Sequence, residues 1–280
     1  MRVEQVTDPI VVHGEGPVWS PRWGGLRWVD MLAGDILSLA ADGTVSRVHA
    51  GEIAAAIRPR RAGGAVIGIE RGFALESADG RITQLPPIWS DPGVRMNEGG
   101  CDPDGRFYCG SMAYDKRPGG GSLYRLDPDG TTTVVLPDVT ISNGLEWSAD
   151  GTTAYYADTA TQRIDRFDYD PARGLTGRRP FVDLDELRPD GLTVDADGGV
   201  WVALSNGQAV RRYTAAGRLD LEIPIPVRKV TACTFGGEAL DQLYLTTSRD
   251  GIPRGEDPLA GSLFRVDVGQ RGVPVREFAG

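Results

Sequence analysis

Four oxygen-bearing side chains recur in similar settings along the 280-residue chain: Glu15, Asn97, Asn143 and Asp190. Each is followed by glycine, directly or after one residue as in Asn97-Glu98-Gly99. Glycine has no side chain, so backbone beside it can approach a ligand closely. One Asn-Gly or Asp-Gly pair alone would read as a turn whose side chain caps local backbone groups. Four at the same phase of a repeat read as a converging donor set. Carboxylate and amide oxygens, with His13 as the one nearby imidazole, suit a hard cation. Ca²⁺ is favoured, with Mg²⁺ or Mn²⁺ behind it. Zn²⁺ is less natural, although an open oxygen-rich site accepts it. The only histidines are His13 and His49, which excludes a multi-histidine zinc centre. No serine stands in a GxSxG elbow, which argues against a Ser-His-Asp triad.

Such donors need elements that bring them together, and the chain has a repeat. Asn97, Asn143 and Asp190 stand 46 and 47 residues apart. Each opens a unit of glycine, short apolar strand, Asp-Gly turn and aromatic-rich strand, as in Asp190-Gly191-Leu192 through Asp197-Gly198 to Trp201. The Glu15-Gly16-Pro17 stretch leads into Leu26-Arg27-Trp28-Val29 in the same way. Weaker copies cover Gly63 to Gly80 and begin again near Thr231. A third strand often closes the unit, as in Ser122–Asp127 and Ser262–Asp267. Helical periodicity is nearly absent, and the one helix candidate is Asp183–Leu187, stopped by Pro189. A period of roughly 40–50 residues with about four strands per unit marks propeller blades. The expected fold is therefore all-β: a six-bladed β-propeller of four antiparallel strands per blade, one domain over 1–280. A pair of β-sandwiches would also use short strands and turns, but predicts no single period. In a propeller the leading ends of the innermost strands open on one face, so the four donors would meet there. Trp19, Trp28, Trp147 and Trp201 fall at matching strand phases and are expected in blade cores. Trp89 reads equally as a loop anchor or as part of a pocket mouth.

Composition narrows the partners. The chain holds 39 acidic and 30 basic residues, a net charge of −9, which disfavours nucleic acid. It has no apolar stretch of about 18 residues for a membrane helix, and no apolar run after Met1. Three cysteines (Cys101, Cys109, Cys233) without CxxC spacing fit a reducing, cytoplasmic setting. Cys101 and Cys109 bracket a hairpin turn, and a disulfide between them is conceivable but not favoured.

The ordered motifs Glu15-Gly16-Pro17-Val18-Trp19, Arg95-Met96-Asn97-Glu98-Gly99, Gly110-Ser111-Met112, Ser142-Asn143-Gly144-Leu145 and Pro189-Asp190-Gly191-Leu192 carry a resemblance. The chain resembles the senescence marker protein/gluconolactonase/luciferin-regenerating family over nearly its whole length. Cys233-Thr234-Phe235-Gly236-Gly237, Ser248-Arg249-Asp250-Gly251 and Phe278-Ala279-Gly280 extend the match. The resemblance implies a six-bladed propeller with one divalent metal bound by Glu15, Asn143 and Asp190. It implies substrate binding by Arg95 and Asn97, and by Asp115 a few residues after the GTM-like motif. The chain departs from the family in Glu98, where aspartate is usual, in Gly100, often lysine, and in Ser111, commonly threonine.

The activity this implies is hydrolysis of a sugar lactone such as a glucono-, xylono- or arabinonolactone, with Asp190 also taking the proton of the attacking water. Two other functions compete. One is phosphotriesterase or fluorophosphatase chemistry on the same cation, and the other is calcium binding without turnover. The expected partner is a small sugar lactone, with no nucleic acid or membrane, and the chain a monomer or weak homodimer. His13 is expected to fill a strand position, with a catalytic part left open.

Overall fold

Short apolar runs alternating with Asp-Gly turns fold into six four-stranded antiparallel sheets. The computed structural model describes all 280 residues. The innermost strands are Gly14–Ser20, Ala54–Pro59, Val94–Cys101, Ser142–Trp147, Pro189–Val194 and Val230–Gly236. They neighbour one another in that order and close on the first, forming a six-bladed β-propeller around a central channel. Within each blade the remaining strands follow outward in chain order. The sixth is completed by the N-terminal strand Val3–Gln5, paired with Phe264–Asp267. The two ends of the chain thus share one sheet, and the ring cannot open without breaking that ladder.

Burial explains the sequence pattern. Inner strands pack on both sides and are almost wholly buried, whereas the outer strand Val45–His49 is mostly exposed. Trp28, Trp147 and Trp201 are fully buried in blade cores, while Trp19 is half-buried at the edge of one. Trp89 is a loop anchor: its Nε1 donates to the Val94 carbonyl at 3.2 Å, and its ring stacks on Tyr124. Asp183–Leu187 is not a helix. Asp183 ends the strand Gly174–Asp183, and Leu184 is tied back through its amide to the Gln162 carbonyl. The helical turns are three-residue 3-10 segments at Pro21–Trp23, Met31–Ala33 and Thr159–Thr161. The weak copy at Gly63–Gly80 corresponds to the second and third strands of blade two. All three cysteines are free and buried.

Two features position the channel residues. First, each inner strand slips register against its neighbour near its leading end, between Glu15 and Val18, Ala54 and Ala56, Met96 and Glu98, Ser142 and Leu145, Pro189 and Leu192, and Val230 and Ala232. A bulge re-aims the side chains beside it and sharpens the local twist. Second, the inner strands are packed almost backbone to backbone. A Cβ on Gly144 would lie 2.5 Å from the Leu192 nitrogen, and one on Gly191 would lie 2.4 Å from the Ala232 Cβ. Glycine there is a packing requirement.

The segment from Arg271 to Gly280 crosses the trailing-end face and touches every blade. The Ala196 amide donates to the Arg271 carbonyl and the Gly272 amide to the Leu240 carbonyl, both at 2.8 Å. Arg276 donates to the Ser148 carbonyl, Glu277 pairs with Arg22, and Phe278 bonds Pro59 and Arg61 through its backbone. Ala279 bonds Gly105. Phe278 is 2% exposed within the core cluster shared by blades one, two and three. Truncating a fully buried Phe costs about 3–5 kcal/mol. Phe278→Ala should therefore lower the thermal midpoint by roughly 6–20 °C, at about 2–4 °C per kcal/mol for a chain of this size class. A midpoint within a degree of wild type, by calorimetry, would show that the strap does not hold the ring.

Candidate metal and substrate site

The bulged leading ends bring Glu15, Asn97, Asn143 and Asp190 into the channel, each at most 6% exposed. Gly16 takes a left-handed conformation (φ +48°), which turns the chain immediately after Glu15. The Gly16 amide donates to one Glu15 oxygen at 3.2 Å. The other oxygen lies 3.7 Å from His13 Nε2.

Asn143 is oriented by a short relay. Its Nδ2 donates to Thr159 Oγ1 at 2.7 Å, and that hydroxyl donates to the Pro189 carbonyl at 2.7 Å. The relay commits the amide nitrogen and leaves Oδ1 buried with no partner, and one Asp190 carboxylate oxygen, Oδ1, is in the same state. Buried oxygens without partners are costly, so their persistence points to a missing donor or ion. Two carboxylates and an amide oxygen are the donor chemistry of a hard divalent cation, and the residues present fit one.

Charge strengthens that reading. Burial pushes the carboxyls of Glu15 and Asp190 well above their usual range. For Glu15, Asp190 and Glu98 add repulsion in that order, and for Asp190 the next cause is Glu98. Glu98 is the residue that sequence reasoning passed over. It is 4% exposed, lies near enough to Glu15 to repel its carboxylate, and burial raises its carboxyl too, opposed chiefly by the Arg58 guanidinium. Its signals in the sequence were that it interrupts the Asn-Gly pattern after Asn97 and that it stands where the resembled family usually has aspartate. Three buried carboxylates at one channel mouth repel one another in the absence of a cation. His13 is largely buried, and burial, then Arg95, hold its imidazole down to about 3, so it is neutral. Its Nδ1 lies 2.7 Å from Ser248 Oγ.

Arg95 and Asn97 form a unit. Arg95 Nη1 donates to Asn97 Oδ1 at 2.7 Å and the Met96 carbonyl at 2.9 Å, and contacts Met31 Sδ at 3.0 Å. Asn97 Nδ2 donates to the Ser142 carbonyl at 2.7 Å, spanning two blades. Asp115 is not brought to this unit. It lies on an exposed turn where Arg117 takes its carboxylate, at 3.1 Å from the backbone amide and 3.2 Å from Nη1.

Six bulged inner strands thus gather acidic, amide and guanidinium groups at the leading end of the channel of a β-propeller. The chain belongs to the SMP-30/Gluconolactonase/LRE-like family, whose model matches residues 13–249. It is 34% identical to regucalcin of Gallus gallus, over 95% of each chain. It is 32% identical to a Bacillus subtilis protein assigned as a sugar lactone lactonase, YvrE, over 98% of this chain and 97% of that one. The solved structure of a calcium-binding protein, regucalcin, from Agrobacterium tumefaciens superposes with a TM-score of 0.90 at 28% identity, covering 98% of this chain and 95% of the other. By family the protein is a hydrolase of the lactonase type. No helix is long and apolar enough to cross a membrane.

The clustered carboxylates predict a stability signature. Adding Ca²⁺ or Mn²⁺ at a hundredfold excess over Kd should stabilise the protein by about 2.7 kcal/mol. Asp190→Asn, which removes one of three buried like charges, should in chelator be at least as stable as wild type and should lose the cation response. Differential scanning fluorimetry reads both. An Asp190→Asn variant that still gains the wild-type increment would place the cation elsewhere.

Proposed function

We propose that the protein hydrolyses a sugar lactone to its aldonic acid at the leading end of the channel, using a divalent cation held by Glu15, Asn143 and Asp190. The observation that carries this is the pair of buried, unpartnered oxygens on Asn143 and Asp190 beside Glu15, with Arg95 close by. The names of the relatives, sugar lactone lactonase and calcium-binding regucalcin, support it. An all-oxygen donor set favours Ca²⁺.

Bound there, the cation supplies Lewis acidity that stabilises negative charge on the lactone carbonyl oxygen. The protein's own residues do the rest. Arg95 directs Nε and Nη2, which bond nothing within the protein, at hydroxyl or ring oxygens of the sugar. Asn97 holds Arg95 through Oδ1 and retains a lone pair and an amide hydrogen for a hydroxyl. Asp190 takes a proton from water as the water oxygen bonds to the carbonyl carbon. The ring C–O bond then breaks, and the proton passes to the departing oxygen as the alcohol. Asp115, on the rim turn, would meet whatever part of the substrate projects outward. All six inner strands are the chain's own, so a monomer completes the channel. Three free thiols suit the reducing cytoplasm.

The test is acid release from a panel of aldonolactones, with phosphotriesters as the contrast class. Chelation or Asp190→Ala should lower kcat/KM by about 10²–10³, and Arg95→Ala should raise KM about 10- to 100-fold, the weight of a charged hydrogen bond. Full turnover in chelator, or hydrolysis of phosphotriesters alone, would contradict the proposal.

A further inference from the structure

One aromatic side chain at the channel mouth is neither core nor ordinary surface. Tyr114 is 44% exposed, one of few large apolar side chains left open to solvent. It is nevertheless held in three ways. Its amide donates to the Gly93 carbonyl at 2.9 Å. Its hydroxyl donates to Glu70 Oε1 at 2.9 Å, on the turn between the second and third strands of blade two. Its ring carries the Arg95 guanidinium, with Cζ 5.8 Å from the ring centroid. A solvated loop tyrosine would have no reason to be fastened to two blades and a buried cation.

The turn that carries it explains the placement. Ala113 is buried at the end of the strand Phe107–Ala113, and the Lys116 amide closes a tight turn onto its carbonyl. Within this turn Tyr114 is directed to Arg95, while the next residue, Asp115, is directed to Arg117.

Resting on the lactonase reading above, we propose that Tyr114 is a specificity residue. Its ring holds Arg95 in position and forms the pocket wall against which the flat C–H face of a small ring-form lactone lies. Aromatic faces are electron-rich and attract both guanidinium groups and polarised C–H edges. The arrangement selects a closed ring bearing hydroxyls on one edge and hydrogens on one face. An open-chain aldonate lacks that face, so the wall favours substrate over product.

The experiment compares Tyr114→Leu and Tyr114→Phe with wild type in lactone hydrolysis and in inhibition by the matching aldonate. Tyr114→Leu should raise lactone KM about five- to tenfold, the weight of an aromatic contact. Its kcat should stay within about threefold and its aldonate Ki within about twofold, on the same aromatic-contact scale. Tyr114→Phe, which keeps the ring, should stay within about threefold of wild type in KM, since it loses only one exposed hydrogen bond. Equal losses in both variants would assign the effect to the Glu70 bond, and unchanged KM in Tyr114→Leu would leave the ring no part in binding; either result overturns the proposal. A separate readout needs no turnover. The Arg95 Nε–H resonance in ¹⁵N NMR, assigned through Arg95→Lys, should shift when the ring is removed, and an unmoved resonance overturns the stacking. If wild type hydrolyses no lactone, the lactonase reading fails together with the substrate part of this one, while the resonance still decides whether Tyr114 positions Arg95.

Discussion

Everything at the site depends on how closely six inner strands approach one axis. Strands that carried side chains at Gly144 and Gly191 would be held apart by the Leu192 nitrogen and the Ala232 Cβ, which now lie within van der Waals reach of the glycine backbone. The same contacts bring Asn143 and Asp190, the residues just before those glycines, into one buried locus. Bulges at the leading ends then aim the donors inward, and the shared sixth blade and the C-terminal strap keep the ring shut. Close packing at the axis therefore creates the donor cluster and also isolates it from water.

That isolation has an energetic consequence. Glu15, Glu98 and Asp190 are carboxylates desolvated together, with Arg58 the chief counterweight to Glu98 and Arg95 a lesser one to Glu15. A fold selected only for stability would not keep three buried acids, and unpartnered oxygens on Asn143 and Asp190, at one end of the channel. Clusters of perturbed groups in clefts mark functional sites because chemistry needs what stability disfavours. Elsewhere the chain spends its acids conventionally, as in the buried Asp195 paired with Arg212 and Trp201 Nε1.

Much of this was legible in the sequence because the repeat is physical. Asp-Gly turns, buried tryptophans and a glycine after each donor recur because each blade solves the same packing problem, so Asn97, Asn143 and Asp190 marked three blades and the channel end toward which their inner strands lead. Blade two was faint because its inner strand is Ala54-Ala55-Ala56, small residues that pack without presenting a donor. Glu98 was missed because it breaks the Asn-Gly pattern, and its proximity to Glu15 arises between blades distant in sequence. Tyr114 and Asp115 could not be ranked from spacing, since which neighbour lies against Arg95 is decided by the turn at Lys116. The strap was invisible for a similar reason: its contacts from Arg271 to Ala279 are all long-range. The short run at Asp183–Leu187 shows the converse failure, a local helical pattern overridden by strand pairing and by the tether to Gln162.

The chemistry proposed for the channel requires that the unpartnered oxygens of Asn143 and Asp190, with Glu15, hold a cation. Anomalous diffraction from crystals grown with Mn²⁺ tests this most directly. A cation held there should give a single strong anomalous peak within about 2.0–2.6 Å of Glu15, Asn143 Oδ1 and Asp190 Oδ1, the bonding range of hard divalent cations. A peak elsewhere, with water bridging those three oxygens, would contradict it.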